Sequence, residues 1–305
     1  MPEGHTIHRI AHRLNGAFAR APVRVSSPQG RFAAGAAELD GRELVEAQAW
    51  GKHLGVEFAA DRWLHVHLGL IGAFSVDGIA SIAATGSIAT TGSIAATGGI
   101  GGEAREPEDP PVTGQVRLRI LSGGEPGVRH VADLRGPMIC RLVTPEEIER
   151  TVARLGPDPL RPDADPELAW ARIRRSGKPI AELLMDQHVL AGVGNVYRAE
   201  VLYRHRLSPF TPGDKLQRRS WNLIWDDLVR LLPLGVATSR IVTIPEQVAE
   251  VEAALAAGGE VHLESRASAV YKHAGEPCER DGARIQIRVL AGRNLFWCGR
   301  CQRRG

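Results

Sequence analysis

The chain has 305 residues, of which 43% are hydrophobic and 24% are charged, and its formal net charge is +3. This length accommodates two domains, and the apolar fraction supports a buried core, which excludes global disorder. The sequence has no apolar run of the ~20 residues that a membrane span needs and no signal-peptide pattern, which predicts a soluble cytoplasmic protein. A pI near 8.8 allows nucleic-acid binding but does not require it, since a balanced total can hide a basic face.

Pro2 and Glu3 directly follow the initiator methionine. Methionine is normally removed before a residue as small as proline, so we expect a free secondary amine at the chain end with a carboxylate beside it. The alternative is that Pro2 only starts the helix that follows, because proline is tolerated at helix starts. Apolar residues at helical spacing predict that helix over residues 3–19.

Strands are predicted next. Residues 23–76 follow the two-residue period of strands, and Lys52 lies at a plausible turn between two of them. Strands resume over residues 114–121. After them, Thr144 followed three residues later by Glu147 predicts a capped helix.

A six-residue unit occurs three times in "SIAATGSIATTGSIAATGG", residues 81–99. Hexapeptide repeats can form a β-helix, but three short turns rich in Ala, Thr and Gly bury too little surface to fold alone. The acidic, proline-rich segment after the repeat is typical of a loop. We therefore interpret residues 79–112 as a flexible surface insertion.

The segment "GPDPLRPDADP" contains four prolines in eleven residues and predicts a domain boundary. We therefore expect an N-terminal domain over residues 1–150, a linker over 151–165 and a helical domain over 166–263. The helical domain contains a predicted helix, a glycine-rich turn and a second helix. The remainder, residues 264–305, returns to strands around a group of cysteines.

Four cysteines are present, and three of them lie in the last 28 residues: Cys278, Cys298 and Cys301. In a cytoplasmic protein such clustering favours a metal site over a disulfide framework. The fourth, Cys140, is predicted to be a small buried apolar residue.

Several of these motifs occur together in one order: the "PEG" start, "GK" at a strand turn, "LLMDQHVLAGVGNVY" and the terminal "GRNLFWCGRC". The chain thereby resembles the Fpg/Nei family of DNA glycosylase/lyases over nearly its whole length, apart from the repeat and residues 236–264. "MPEGHTIH" and "RLGPDPL" look most like the actinobacterial endonuclease VIII (Nei) branch. The resemblance implies an α+β fold: an N-terminal β-sandwich with a leading helix, a helical domain with a helix–two-turns–helix motif, and a zinc hairpin. DNA would lie between the two domains.

The resemblance also implies a catalytic group. The Pro2 amine would attack C1′ of a damaged nucleoside and form an iminium ion, and Glu3 would serve as acid and base. Lys52 would grip a phosphate and assist elimination, and Arg293 at the hairpin tip would contact phosphate and assist the second elimination. Many family members have a second glutamate at position 6. Here Thr6 stands there, which leaves that role unassigned, with a helix cap as the alternative.

Further residues match DNA contacts of the family. Asn195, in "GVGNVY", would hold a phosphate together with backbone N–H groups at a helix start, and Arg154 matches a DNA-contacting arginine of the Nei branch. Leu70, together with Ile71, would fill the gap left by an everted nucleotide. The alternative for Leu70 is a place in the core of a strand.

The terminal hairpin departs from the two Cys-x-x-Cys pairs of the family. Cys298 and Cys301 form one pair, but Cys278 is followed by Asp281. We expect one structural zinc held by three thiolates and Asp281, since zinc accepts carboxylate oxygen. The alternatives are that His273 supplies the fourth ligand, or that zinc is weakly bound or absent.

The sequence thus predicts a monomeric, bifunctional DNA glycosylase/AP lyase of base excision repair that acts on damaged DNA and prefers oxidised pyrimidines. Two alternatives remain open. One is an enzyme with the same mechanism that prefers oxidised purines, because pocket loops set the choice of base. The other is a non-catalytic binder of DNA damage, which predicts the loss of Pro2 or Glu3, although both are present.

Overall fold

A computed structural model describes residues 2–79, 109–122, 129–259, 261 and 268–303. The repeat at 81–99 and most of the predicted insertion 79–112 lie outside these residues. The described helices are α1 (Gly4–Phe18), α2 (Ala33–Leu39), α3 (Pro145–Val152), α4 (Pro166–Ile173), α5 (Ile180–Leu183), α6 (Asn195–Arg204), α7 (Arg218–Thr238) and α8 (Pro245–Ala256). None of them is long and apolar enough to cross a membrane.

The strands are β1 (Ala21–Ser26), β2 (Glu43–Trp50), β3 (His53–Phe58), β4 (Arg62–His67), β5 (Ala73–Ile79), β6 (Val116–Ser122), β7 (Arg129–Arg135), β8 (Ile139–Val143), β9 (Ile285–Leu290) and β10 (Arg293–Cys298). The first eight form an antiparallel sheet in the order β5-β7-β6-β1-β2-β3-β4-β8. β1 belongs to both halves of this sheet, because Ala21 and Pro22 pair with β2 whereas Val23–Ser26 pair with β6. Side chains from both halves and from α1 form one hydrophobic core, so the leading helix is part of the N-terminal fold.

A second core lies among α4–α8 and includes the fully buried Tyr197 and Trp221. The antiparallel hairpin of β9 and β10 packs against it through Leu295. The predicted α+β architecture, with a leading helix, a helical part and a terminal hairpin, is confirmed. The first helix of the predicted helix–turn–helix segment is α5 (Ile180–Leu183), which has only four residues.

Several local predictions are confirmed. The helix predicted over residues 3–19 is α1, and Lys52 lies in the turn between β2 and β3. Thr144 and Glu147 form the reciprocal hydrogen bonds of a capping box at the start of α3. The prediction that Cys140 is buried is only partly correct: Cys140 packs against the N-terminal core but is only partly buried, since it lies on the edge strand β8.

Three distant segments meet through backbone contacts at glycines. Gly4, at the start of α1, donates a hydrogen bond to the carbonyl of Gly192 at 2.8 Å. Gly51 has a φ of +58°, and a Cβ there would lie 2.7 Å from the Gly192 nitrogen, so a side chain would separate the segments. Asp158 of the proline-rich segment anchors the junction by accepting hydrogen bonds from the Gly51 N–H at 2.6 Å and His8 Nε2 at 2.7 Å. The chain start, the Lys52 turn and the loop before α6 are thereby held together.

Candidate active site

Glu3 is fully buried at the start of α6. Its carboxylate accepts hydrogen bonds from the backbone N–H groups of Gly194 at 2.9 Å, Val196 at 2.8 Å and Tyr197 at 3.4 Å. Burial raises the pKa of Glu3, while the charge of Lys52 and these hydrogen bonds oppose the increase. A carboxyl group whose proton affinity is raised by its surroundings suits acid–base chemistry.

Lys52 contacts the same loop. Its Nζ donates a hydrogen bond to the Val193 carbonyl at 2.8 Å. Burial lowers the pKa of Lys52, the charge of Glu3 opposes this, and the positive charges of Arg293 and Arg198 lower it further. The site therefore contains one carboxylate and three cations within electrostatic range, an excess of positive charge that suits binding of phosphate groups.

Pro2 is half-buried at a cleft of about 440 Å³. The cleft is lined by Pro2, His5, Thr6, Leu70, Ile71 and Ile241, together with two smaller residues. Leu70 is 50% exposed and Ile71 is 89% exposed, because β4 ends at His67 and the chain turns before β5. The alternative that Leu70 belongs to a strand core is wrong, and both apolar side chains are free to enter a DNA stack.

Thr6 also lines this cleft but does not cap the helix. The N-cap of α1 is Glu3, and the Thr6 hydroxyl instead contacts His5 Nε2 at 3.2 Å. The helix-cap alternative is therefore wrong. Among the described residues that line the cleft there is no carboxylate, so nothing at this position replaces the second glutamate.

Asn195 and the hairpin tip are in direct contact. Asn195 is 5% exposed, and its Nδ2 donates a hydrogen bond to the Asn294 carbonyl at 2.9 Å. Its Oδ1 accepts a hydrogen bond from Arg198. Arg293, which precedes Asn294, is exposed at the tip of the hairpin. The structure therefore brings Asn195 and Arg293 to the group formed by Glu3 and Lys52.

Arg154 stands apart from these residues in the chain. It is exposed two positions after the end of α3, in the segment that leads to Asp158. Its position leaves its guanidinium open to solvent, so a DNA contact by Arg154 stays a prediction.

The terminal cysteines form a compact cluster with Asp281. One ligand atom from each of Cys278, Asp281, Cys298 and Cys301 lies within 4.8 Å of the others. Cys298 Sγ lies 3.4 Å from one carboxylate oxygen of Asp281. This set of donors could hold a metal ion, and three sulfur ligands with one oxygen suit zinc. His273 is outside the group, because its imidazole contacts a glutamate three residues further on at 2.9 Å.

Two polar residues of the site, the partly buried Gln187 and the buried Arg198, are not among the residues predicted from the sequence. Gln187 accepts a hydrogen bond from the Gly192 N–H and donates one to the Val193 carbonyl, both at 3.0 Å, so it fixes the loop that Lys52 contacts. Arg198 is completely buried beside Asn195. Its spacing of three residues after Asn195 on a predicted helix is the one signal that could have found it.

Comparisons with known proteins agree with this arrangement. The model of the formamidopyrimidine-DNA glycosylase N-terminal domain matches residues 1–137, and that of the formamidopyrimidine-DNA glycosylase H2TH domain matches residues 155–245. Over 306 aligned residues the chain is 43% identical to Endonuclease 8 1 of Mycobacterium tuberculosis, covering 99% of this chain and 100% of that protein. It is 29% identical to Probable endonuclease 8 2 of Streptomyces coelicolor, covering 99% and 94%.

Solved structures share the fold. The Lactococcus lactis Fpg in a complex with abasic-site DNA matches with a TM-score of 0.68 at 20% identity, covering 99% of this chain and 100% of that one. MutM in a complex with DNA containing carbocyclic 8-oxo-G matches with a TM-score of 0.69 at 21% identity and the same coverage. The chain belongs to the Fpg/Nei family of DNA glycosylases with AP lyase activity. Its activity is that of a DNA glycosylase/AP lyase of base excision repair.

Proposed function

We propose that the enzyme preferentially removes oxidised pyrimidines and that the Pro2 amine is its nucleophile. The observation that supports this most strongly is the position of Glu3. Its carboxylate is held by the start of α6, and this places the adjacent Pro2 at the cleft beside Leu70 and Ile71. The pyrimidine preference is supported by the 43% identity to an endonuclease 8.

The chemistry follows from the amine. An α-amine has a pKa of about 8, against about 10.4 for lysine, so after methionine removal more of the Pro2 nitrogen is unprotonated at neutral pH. It attacks C1′ and displaces the damaged base; once the amine has lost its proton, cleavage of the C1′–O4′ bond, with a proton supplied to O4′, gives an iminium ion that acidifies the C2′ proton. Elimination then breaks the C3′–O bond and cleaves the strand. Glu3, whose pKa is raised, donates a proton during excision and shuttles it afterwards.

The surrounding residues hold the DNA. Lys52 and Arg293 supply positive charge for phosphates next to the lesion, and Asn195 with the N–H groups at the start of α6 completes this anion-binding surface. Leu70 and Ile71 enter the stack after the nucleotide leaves it. Arg154, which is exposed, also contacts the DNA.

We further propose that the cluster of Cys278, Asp281, Cys298 and Cys301 holds one structural zinc ion. Zinc there would stabilise the hairpin that presents Arg293, because a metal ion that binds only the folded state contributes its binding free energy to folding. The enzyme would act as a monomer on damaged DNA in the bacterial cytoplasm.

Borohydride trapping tests the nucleophile and the substrate together. Duplexes with an oxidised pyrimidine, an oxidised purine or an abasic site are incubated with the enzyme. Borohydride then reduces the covalent intermediate, and the fraction of DNA in covalent complex is measured. We expect most trapping at the abasic site and more at the pyrimidine than at the purine. A protease-cleavable N-terminal extension should abolish trapping, and removal of the extension back to Pro2 should restore it.

The outcomes separate the alternatives. Equal trapping by the extended protein refutes Pro2 as the nucleophile, and preferential trapping at the oxidised purine supports the purine-specific alternative. The Glu3→Gln variant should lose excision of damaged bases but retain part of the cleavage at preformed abasic sites. Binding without any trapping or cleavage in the parent protein would indicate a non-catalytic binder of damage.

A further inference from the structure

Arg198 carries a buried positive charge one helical turn after Asn195. The residue is 0% exposed, and its Nη1 donates to the Ala181 carbonyl at 3.3 Å. Its Nη2 bonds Asn195 Oδ1 and lies 3.5 Å from the Asn294 carbonyl. The Nε atom has no hydrogen-bond partner among the described residues. Arg198 is thus bound mainly to neutral oxygens and is incompletely satisfied.

Stability does not explain an arginine at this position. Burial and the neighbouring charge of Arg293 lower the pKa of Arg198 to about 10, while the charge of Glu3 opposes the decrease. Replacing a buried charge by an apolar side chain of similar size is often neutral or stabilising, and each buried unsatisfied N–H adds a further cost. A buried charge that lowers stability next to the proposed catalytic residues indicates a role in function.

Arg204, on the same helix, provides the contrast. Its guanidinium is paired with the carboxylate of Asp227 through two hydrogen bonds at 2.5 and 2.8 Å. Arg204 therefore has the charged partner that a buried arginine requires. Arg198 instead directs its donors at the side chain of Asn195 and the backbone of the hairpin.

The contacts of Arg198 connect α6 to the hairpin tip. Asn195 Nδ2 donates to the Asn294 carbonyl at 2.9 Å, and Arg198 Nη2 approaches the same oxygen. Asn294 directly follows Arg293, so these donors restrain the residue next to the tip. The first turn of α6 also binds Glu3 through the Val196 N–H at 2.8 Å. One helix turn thus contacts both the catalytic carboxylate and the hairpin.

We propose that Arg198 is a positioning residue, which holds the Asn195 amide and the Asn294 carbonyl so that Arg293 stays within electrostatic range of Lys52. Arg198 itself does not touch the DNA, because it is completely buried. The proposal rests on the proposed function of Arg293 as a contact to the DNA phosphate.

The first experiment compares Arg198→Met, Arg198→Lys and the control Arg204→Met. Cleavage of an abasic-site duplex is measured in single turnover at saturating enzyme, together with the melting temperature. We expect Arg198→Met to cleave about 10- to 100-fold more slowly while melting at the same or a higher temperature, since displacement of catalytic groups is costly. Arg198→Lys should recover part of the rate, because lysine keeps the charge but lacks the planar fork. Arg204→Met should melt lower, with normal cleavage per folded molecule.

A double variant tests whether Arg198 acts through the tip. If it does, Arg198→Met combined with Arg293→Ala should cleave no more slowly than the worse single variant, because the second change removes a contact already lost. Rate losses that multiply in the double variant would refute the proposal. Cleavage by Arg198→Met within twofold of the parent would also refute it.

Loss of folding, failure of the proposed nucleophile and failure of the positioning role give different results. If circular dichroism shows that Arg198→Met is unfolded, Arg198→Gln, which keeps an amide donor, takes its place in both comparisons. A parent protein that forms no trapped complex would refute the proposed nucleophile. If the parent forms the trapped complex normally and the Arg198 variant cleaves as fast as the parent, only the positioning role of Arg198 is refuted.

Discussion

The carboxylate of Glu3 accepts a hydrogen bond from the Val196 N–H at 2.8 Å, although the two residues lie 193 positions apart in the chain. This contact joins the leading helix of the N-terminal fold to the first turn of α6. The carboxylate also neutralises part of the positive end of that helix. The proposed acid–base group and the proposed anion-binding helix start are therefore parts of one hydrogen-bonded unit.

The buried Glu3 should make stability depend on pH in a defined direction. A raised folded-state pKa means that the protonated form fits the fold better, so this contribution to stability is present below about pH 4.5 and is lost as pH rises through the folded pKa. The free energy of unfolding, measured from about pH 4 to 8, should fall with pH more steeply in the parent than in Glu3→Gln. Parallel curves would show that Glu3 titrates as it does in the unfolded chain.

Lys52 should contribute one phosphate contact irrespective of DNA sequence. Lys52→Ala is expected to weaken binding to several unrelated duplexes by similar factors. It should also reduce the slope of log K against log salt by about 0.9, the value for one phosphate. Fluorescence anisotropy over a salt series measures both quantities. Lys215, outside the site in the 3₁₀ turn Gly213–Lys215, offers a matched lysine control. An unchanged slope in Lys52→Ala would place Lys52 outside the interface.

Leu70 and Ile71 should matter only when a base has to leave the stack. Leu70→Ala combined with Ile71→Ala is expected to slow excision from a duplex by about tenfold, because unstacking costs a few kcal/mol and the gap stays unfilled. Cleavage of a preformed abasic site should change much less. The exposed Leu255 on α8 gives a control substitution to alanine. Equal losses on both substrates would contradict the wedge role and indicate a general binding defect.

The metal cluster should hold zinc less firmly than four thiolates would. We expect about one zinc per chain by elemental analysis, and Asp281→Cys should retain zinc against higher chelator concentrations, because sulfur binds zinc more tightly than a carboxylate oxygen here. Removal of zinc should weaken DNA binding, since the hairpin that presents Arg293 loses its support. His273→Ala should leave the zinc content unchanged. A purified protein without zinc that binds and cleaves DNA normally would show that packing alone maintains the hairpin.

Local sequence patterns correctly predicted structural features that depend on residues a few positions apart. The amphipathic spacing of α1, the turn that contains Lys52 and the capping box of Thr144 with Glu147 are each confirmed. The family motifs identified the cysteine cluster and the enzyme class. The domain division at residues 151–165 stays a prediction, as do the roles of Arg154 and Asn195 at the DNA.

The sequence alone determined the chemistry that is available: a proline at position 2, an acid after it, a lysine in a turn and three clustered cysteines. Only the tertiary structure decided that Glu3 caps a helix far away in the chain, that Leu70 is exposed rather than in a strand core, and that Arg198 joins the site. The physical reason is the range of the interactions. Helix spacing, turns and caps involve residues a few positions apart, whereas burial and the pKa of a charged group depend on segments that only folding brings together.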